Sequence, residues 1–436
     1  MKIIKKVKKA YHFLLAWLGA VIYGFPSRKM IVFGVTGTKG KTTTADIIFH
    51  ILKEKGFKPC LISTLKFKIG DKEFENKLKM TMPGRFFIQS FLARALKQGC
   101  DTAVLEVTSE GIEQYRHRFL DFDIVVFTNL EPEHIESHGS FENYRKAKTK
   151  LFERCEKSFK KKIKKVGVVN LNDENSEYFL KLNLDYYGFG IEGEEIKVKN
   201  EDIKKVIAKQ VKNTENGIEF YIGDTKFESS LKGVFNVYNI LAGVCAILPL
   251  GIKIEELADI IKRKQEVKGR MEIIEKPPFY AVIDFAHTPR SVELVYKNTV
   301  DIFSKKLGFN PRLICILGSA GGGRDKWKRK EFGKLAAKYC DKIILTMEDP
   351  ADEDPLKIAK EIEKGVLEQN PSADYEIIID REKAIEKALG FCDGKTVVVS
   401  TGKGGETLMW VGPKKKIPWD ERGIFERIIK EKVSAE

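Results

Sequence analysis

Hydrophobic and polar positions alternate along this chain in a repeating order of short apolar run, turn and amphipathic stretch. Residues 31–36 read IVFGVT, with Ile31, Val32, Phe33 and Val35 apolar. Residues 37–44 read GTKGKTTT, after which apolar positions recur at Ile47, Ile48, Ile51 and Leu52. The continuous run predicts a strand buried on both faces, and the three- and four-residue spacing predicts a helix. Further apolar runs at 102–107, 123–130 and 166–171 predict buried parallel strands separated by helices. In residues 215–227, Asn216-Gly217 and Gly223-Asp224 punctuate an alternating run, which predicts hairpins in a small β-rich insert. Helix is expected to return over 236–248, ended by Pro249 and Gly251. A charged, then proline-rich stretch at 268–278 precedes a second series of runs at 280–285, 312–318, 341–346, 375–380 and 396–401. The fold class expected is α/β: a central phosphate-loop unit with a parallel sheet and a β-rich insert, then a second Rossmann-like unit. The boundaries read as 1–30, 31–267 and 268–436, with 268–278 as a hinge.

Residues 1–30 break this order. Lys2, Lys5, Lys6, Lys8 and Lys9 lead into an apolar stretch over 11–25. At about 15 residues it falls short of the ~20 that a membrane-spanning helix needs. No small-residue cleavage site follows it, so an exported leader is not expected. Two readings stay open: a helix packed on the protein itself, or an interfacial helix making peripheral contact with an anionic membrane through residues 1–25.

Composition narrows the class. The 436 residues suggest two or three domains, at about 100 to 200 residues each. A formal net charge of +15 favours anionic partners. The lysines are spread, however, and no basic segment interleaved with aromatics marks a nucleic-acid module, so no nucleic-acid partner is expected. Seven cysteines, at 60, 100, 155, 245, 315, 340 and 392, form no CxxC pair, which predicts reduced, packed thiols in a cytoplasmic protein.

The chemistry begins at the glycine-rich turn. Gly37 and Gly40 allow backbone N–H groups to point inward, and the helix start adds partial positive charge where phosphate oxygens would sit. Lys41 is placed to reach β- and γ-phosphates and Thr42 to ligate Mg²⁺, although Val35 stands where the strict GxxxxGK[ST] pattern has its first glycine. Glu106 ends a strand in LEVTSEG and His134 follows another in TNLEPEHIESHG. Each suits a divalent ion beside the phosphates, and each equally suits a cap or a surface position. Lys146, Lys148 and Lys150 alternate along a helical stretch, so periodicity alone assigns them to solvent.

Taken in order, TGTKGKTTT, LEVTSEG, FTNLEPEHIESHG with YRKAK, VVNLNDE, GVFNVYN, KGRME, DFAHTP, GSAGGGRDKWKR, EDPADEDP and GKGGE resemble the Mur ligase family over about residues 31–425. The resemblance is greatest to the members that form the tripeptide of peptidoglycan precursors. It implies an ATP-dependent amide ligase that phosphorylates a carboxylate and lets an amino acid's amine attack the acyl phosphate. By carry-over, Gly37, Thr38, Lys39, Gly40, Lys41 and Thr42 would bind ATP, with Asn236 and Asn239 at adenine and Arg270, Asp284 and His287 closing from the second unit. Thr42, Glu106 and His134 would hold Mg²⁺, helped by Lys148, which falls where the family carries a carbamylated lysine. Thr81, Thr108 and Ser109 would meet the nucleotide-sugar peptide donor, and Arg329, Asp349, Ala351, Gly402 and Glu406 the amino acid acceptor.

Several positions depart from the family pattern. Lys39 stands in place of an asparagine, Glu110 and Gly405 in place of histidines, and Ala351 where members adding meso-diaminopimelate carry arginine. Only about 30 residues precede the phosphate loop, whereas the family usually has an N-terminal uridine-nucleotide domain there. The expected function is addition of a diamino acid, L-lysine before meso-diaminopimelate, to UDP-N-acetylmuramoyl-L-alanyl-D-glutamate. The alternatives are a lipid-linked or otherwise UDP-free donor, or an inactive ATP-binding scaffold, against which Glu106, His134 and Lys148 argue.

Overall fold

The structure is a computed structural model that describes residues 2–435 except 79, 134, 160, 162, 199–201, 215, 265 and 266. His134 therefore lies outside the described residues.

The first strands are β1 (Ile31–Thr36), β2 (Pro59–Ile62), β3 (Lys66–Ile69), β4 (Lys72–Glu75), β5 (Thr102–Glu106) and β6 (Ile124–Phe127). They are followed by β7 (Val166–Asn170), β8 (Asp185–Ile191), β9 (Lys204–Thr214), β10 (Gly217–Ile222) and β11 (Thr225–Ser229). Among the described residues these form one eleven-stranded sheet in the order β11-β10-β9-β8-β7-β6-β1-β5-β2-β3-β4. Strands β9 to β2 in that order run parallel, and antiparallel hairpins close both edges. The β-rich segment expected as an insert is a correction: β9 pairs in parallel with β8, so β9 to β11 extend the main sheet. Asn216-Gly217 and Gly223-Asp224 do lie at its turns.

Central strands have helices on both faces, which explains their apolar runs. Helix α2 (Lys41–Glu54) and the helix Phe235–Ile247 cover one face with Ile47, Ile48, Ile51, Ile240 and Val244. Helix α3 (Arg85–Lys97) supplies Ile88, Phe91 and Leu92 to the other. The helices α4 (Ser109–Glu113), α5 (Ile135–His138) and α6 (Phe141–Glu156) follow, and α6 adds Tyr144, Leu151 and Phe152 to that face.

The remaining sheet strands are β12 (Glu272–Lys276), β13 (Phe279–Asp284), β14 (Arg312–Leu317), β15 (Lys342–Leu345), β16 (Tyr375–Ile377) and β17 (Thr396–Thr401). They form a second sheet in the order β12-β13-β17-β14-β15-β16, parallel apart from its β12 edge. Residues 268–278 are thus only partly a connection. Their second half is β12, paired with β13, and Met271 N donates to the Asp284 carboxylate at 2.7 Å.

Helix α1 (Lys2–Ile22) precedes the first sheet and lies against α3, so the packed reading of the N-terminus holds for one of its faces. The reading of seven reduced thiols is corrected at two positions, because Cys315 of β14 and Cys340, which follows the helix Trp327–Tyr339 packed over that strand, are joined in a disulfide. Cys60, Cys100, Cys155, Cys245 and Cys392 are free.

A fully buried ion pair braces the end of the second sheet. Arg381 donates to Glu421 at 2.8 Å, to Ser400 Oγ at 3.0 Å and to the Thr401 carbonyl at 2.8 Å, and Trp419 Nε1 donates to Glu421 at 2.6 Å. Removing one partner of such a pair strands the other charge in a dry interior. Glu421→Ala should therefore destabilise the chain by roughly 3–5 kcal/mol in urea unfolding. A loss below about 1 kcal/mol, the scale of an exposed pair, would show that this bond network does not hold the strand end.

Candidate functional site

Strand register assembles the first part of the site. Val35 of β1 lies opposite Glu106 of β5, and Thr36 opposite Phe127 of β6, so Glu106 and the 128–133 segment flank the loop that leaves β1. The loop can pass between them only because two positions lack a side chain. A Cβ at Gly37 would fall 1.9 Å from Thr128 Oγ1, and one at Gly40, where φ is +81°, 2.2 Å from Asn239 Oδ1. Gly37 thus carries the turn that the strict motif assigns to an earlier glycine. The N–H groups of α2's first turn have no acceptor within the helix and face the loop's concave side.

The side chains expected at the phosphates converge here. Thr42 Oγ1 donates to Glu106 Oε2 at 3.1 Å. Thr64, which no motif singled out, donates its backbone N–H to Glu106 Oε1 at 2.9 Å and its hydroxyl to Oε2 at 3.0 Å. Thr81 lies beside it, 3.0 Å from hydroxyl to hydroxyl. Lys41 Nζ donates to the carbonyls of Gly37 and Thr38 at 2.9 and 2.8 Å. Lys148, assigned to solvent by periodicity, is buried and donates to the Gly37 carbonyl at 2.7 Å. It reaches the loop because α6, N-capped by Ser140, packs its Tyr144 face there, with the phenol oxygen 3.1 Å from Thr38 Oγ1. Asn236 and Asn239 are joined at 2.8 Å beneath the loop.

The second sheet contributes from its own strand ends. Arg270 donates to Thr42 Oγ1 at 3.4 Å, its guanidinium over the Phe285 ring. Asp284 ends β13. His287 Nδ1 donates to the Phe285 carbonyl at 2.7 Å, which leaves Nε2 of the neutral ring as an acceptor for Lys39 Nζ at 2.9 Å. Lys39 also donates to Glu133, which sequence reasoning missed although it lies within EPEH. Glu131 pairs with Arg290 at 3.4 Å, and Glu136 accepts from Lys326 N at 3.0 Å, so the two sheets meet along this seam.

Burial sets the electrostatics. It lowers Lys39 from its ordinary value to about 8 and His287 to about 3, so that ring is neutral at physiological pH. It lowers Lys41 and Arg270, and pushes Lys148 well below the usual lysine range, against the opposing pull of Glu133. It raises Glu106, against the backbone N–H of Thr64 and the charge of Lys41. The arrangement can hold a polyphosphate, which would supply the negative charge these cations lack. A divalent ion suits the same place, since Glu106 and Thr42 offer hard oxygen ligands.

The expected donor residues lie to one side. Thr108 N-caps α4, accepting from Gly111 N, and Ser109 Oγ is 3.1 Å from His138 Nε2. The acceptor set gathers at the end of β17. Lys403, missed although it sits between Gly402 and Glu406, is completely buried and donates to Asp349 at 3.0 Å and Glu406 at 2.6 Å. A Cβ on Gly402 would fall 2.5 Å from Glu348 Oε2, which places Glu348 beside them. Ala351 follows on the same loop in left-handed conformation, with φ +57°. Arg329 is placed differently. Its guanidinium is buried and taken up by Glu353 and Glu361, at 3.0 and 2.8 Å.

Residues 35–247 match the Mur ligase middle domain, and residues 269–404 match the Mur ligase glutamate ligase domain. The chain is 35% identical over 422 residues to a UDP-N-acetylmuramoyl-L-alanyl-D-glutamate–2,6-diaminopimelate ligase of Bacillus cereus, covering 95% of this chain and 81% of that one. It is 34% identical to a UDP-N-acetylmuramyl-tripeptide synthetase of Treponema denticola, covering 94% of this chain and 78% of the relative. A solved UDP-N-acetylmuramoyl-L-alanyl-D-glutamate–2,6-diaminopimelate ligase superposes with a TM-score of 0.59 at 26% identity, covering 92% of this chain and 79% of that chain.

The depressed Lys39 has a signed consequence. Between about pH 8 and its ordinary 10.5 the unfolded chain holds the proton and the folded chain does not, so folding gains as pH rises through that window. Below it, the buried ammonium is a net cost, despite Glu133 and against the added repulsion of Lys41 and Lys328. Lys39→Met should therefore be the more stable chain near neutral pH, by up to about 3 kcal/mol, with the difference shrinking as pH is raised above 8. Urea unfolding of both chains across that range checks it. A variant of equal or lower stability at neutral pH would mean that the ion pair outweighs the burial.

Proposed function

Given that the chain belongs to the Mur ligase family and is an ATP-dependent ligase of peptidoglycan synthesis, we propose that it adds a diamino acid, L-lysine in preference to meso-diaminopimelate, to UDP-N-acetylmuramoyl-L-alanyl-D-glutamate. The donor carboxylate attacks the γ-phosphorus of ATP, giving an acyl phosphate and ADP. The acceptor's amine nitrogen then bonds to the acyl carbon, loses a proton, and inorganic phosphate leaves. Positioning and charge neutralisation are what the protein must supply. Lys41 and the 37–42 backbone cradle the β- and γ-phosphates, Arg270 and His287 close over them from the second sheet, and Asn236 and Asn239 face adenine. Thr42 and Glu106, with His134, would hold Mg²⁺, which neutralises phosphate charge when bound. Thr81, Thr108 and Ser109 hold the donor peptide. In this reading residues 31–267 and 268–436 act as separate units that close on the nucleotide.

Lys148 supports a carbamate. Burial favours its neutral amine, the form whose nitrogen can bond to CO₂ and lose a proton, and the resulting anion would offset Lys41 and Lys39. Lys148→Ala should be inactive and regain part of its turnover with a short carboxylate such as acetate. Near-wild-type turnover of the alanine variant would remove the carbamate from the mechanism.

The acceptor preference rests on one observation, the charge around Lys403. Asp349 and Glu406 already share its ammonium, the Glu348 carboxyl, which burial pushes up, lies beside them as a further oxygen acceptor, and Arg329 is committed to Glu353 and Glu361. Such a pocket favours an acceptor's distal ammonium and opposes a second carboxylate, for which Ala351 offers no guanidinium fork. Steady-state kinetics with both acceptors should give the higher kcat/KM with L-lysine, and Ala351→Arg should shift the ratio toward meso-diaminopimelate. A higher kcat/KM for meso-diaminopimelate in the unaltered chain would reverse the assignment.

A second reading keeps the chemistry and places the ligase peripherally at the inner face of the membrane through residues 1–25, acting on a lipid-linked donor. The apolar outer face of α1 favours it. Turnover of lipid-linked against UDP-linked donor separates the two.

A further inference from the structure

Helix α1 is inverted relative to an ordinary surface helix, which turns its large apolar residues inward. Its small residues face the protein: Ala16 and Ala20 are buried, and a Cβ on Gly19 would lie 3.6 Å from Phe86 Cα and 3.7 Å from the Arg85 carbonyl of α3. Its large apolar residues face away. Val7, Tyr11, Leu14, Trp17 and Val21, at three- and four-residue spacing, with Ile22 beside the last, are 43–64% exposed. Phe13 packs edge-on against Phe119 at 5.3 Å, and Gly19 lies in van der Waals contact with α3. Single exposed apolar residues need no explanation, but a continuous stripe along a helix does.

Charge says what covers it. Five of the first nine residues are lysines, with no acidic residue before Asp46, so the stripe begins beside a cationic cluster. No helix among the described residues is long and apolar enough to cross a membrane. An apolar stripe with a cationic flank matches the acyl boundary and the headgroups of an anionic bilayer, respectively.

We propose that the outer face of α1 docks the protein on an anionic lipid surface. This rests on the membrane-side placement in the second reading above and on no step of the ligation chemistry. Docking would also orient the donor side, because Arg85, the residue after the Thr81-bearing TMPG turn, donates to His12 of α1 at 2.5 Å. A donor embedded in the same surface would then reach its site without leaving the bilayer.

The test is co-sedimentation of the full chain with vesicles of phosphatidylcholine plus phosphatidylglycerol, against phosphatidylcholine alone, over a range of salt. Binding is expected only to the anionic vesicles and to weaken as salt rises, by about fivefold for each lysine neutralised in a Lys5→Gln, Lys6→Gln series. Leu14→Glu and Val21→Glu, both at exposed positions, should abolish binding while thermal unfolding and turnover of a water-borne donor stay unchanged. Equal pelleting of wild type and Leu14→Glu, equal binding to neutral vesicles, or no binding at all would overturn the proposal. So would self-association that Leu14→Glu abolishes without any vesicle binding, which would assign the stripe to a second copy of the chain. Because turnover is read separately, failure of docking leaves the ligase reading standing, and loss of turnover leaves docking standing.

Discussion

Four cationic side chains, Lys39, Lys41, Lys148 and Arg270, converge on one glycine-rich loop, and burial disfavours the charged form of each. Within the protein, Glu106, Glu131, Glu133 and Asp284 face them, and burial pushes Glu106, Glu131 and Asp284 up. The loop is therefore held in a state that a polyanion stabilises, since any ligand that brings negative charge to the bound form shifts the balance toward it. The surrounding architecture serves this concentration of charge. Register in the first sheet sets Glu106 beside Val35, α6 swings Lys148 under the loop, and the segment entering β12 and the end of β13 bring Arg270 and His287 from the opposite side.

The second sheet carries the complementary charge. Around Lys403 the carboxylates of Asp349 and Glu406 share one ammonium, and the Glu348 carboxyl, pushed up by burial, lies beside them, so carboxyl groups crowd the end of β17 where basic groups crowd the loop after β1. The two ends face one another across a seam of polar bonds, Lys39 to His287, Arg290 to Glu131 and Lys326 to Glu136. An ATP-dependent ligase must hold a polyphosphate and its other substrates at once, and walls of differing charge suit that task. Proximity then does the rest, because neither wall alone brings the reacting atoms together.

Much of this was readable in the chain where local pattern and chemistry coincide. Each apolar run contains a strand, because a strand buried on both faces admits little else: 396–401 is β17 as expected, while 123–130 and 375–380 shorten to β6 and β16. The loop residues were legible because glycine, lysine and threonine at that spacing suit few other uses. Long-range packing was not legible. Lys148 looked solvated since helical period says nothing of which neighbour a helix meets, and Thr64 carried no motif because its backbone N–H and hydroxyl meet Glu106 only through the fold, 42 residues along the chain. Arg329 looked available because its acidic partners, Glu353 and Glu361, lie 24 and 32 residues further along the chain. The extension of the sheet by β9 to β11 was missed because a hairpin's turns fix its own register and not its parallel neighbour.

Two departures from the family pattern have different physical origins. Gly405 is steric: a Cβ there would lie 2.6 Å from the Lys268 carbonyl, and one on Gly269 only 1.7 Å from Gly405 N, so the two backbones touch and a histidine has no room. That contact ties the strand end bearing Lys403 to the segment that enters β12, and so sets Lys403 and its carboxylate partners relative to Arg270. Lys39 is electrostatic. An asparagine in its place would bring hydrogen bonds to the seam without charge, whereas lysine places a buried ammonium 3.3 Å from Glu133 and 2.9 Å from His287 Nε2, which itself lies 3.0 Å from Glu133. The loop thus gives up stability on its own in order to hold one more positive charge at the wall where phosphate oxygens would arrive, and the seam between the sheets is tightest when that charge is answered.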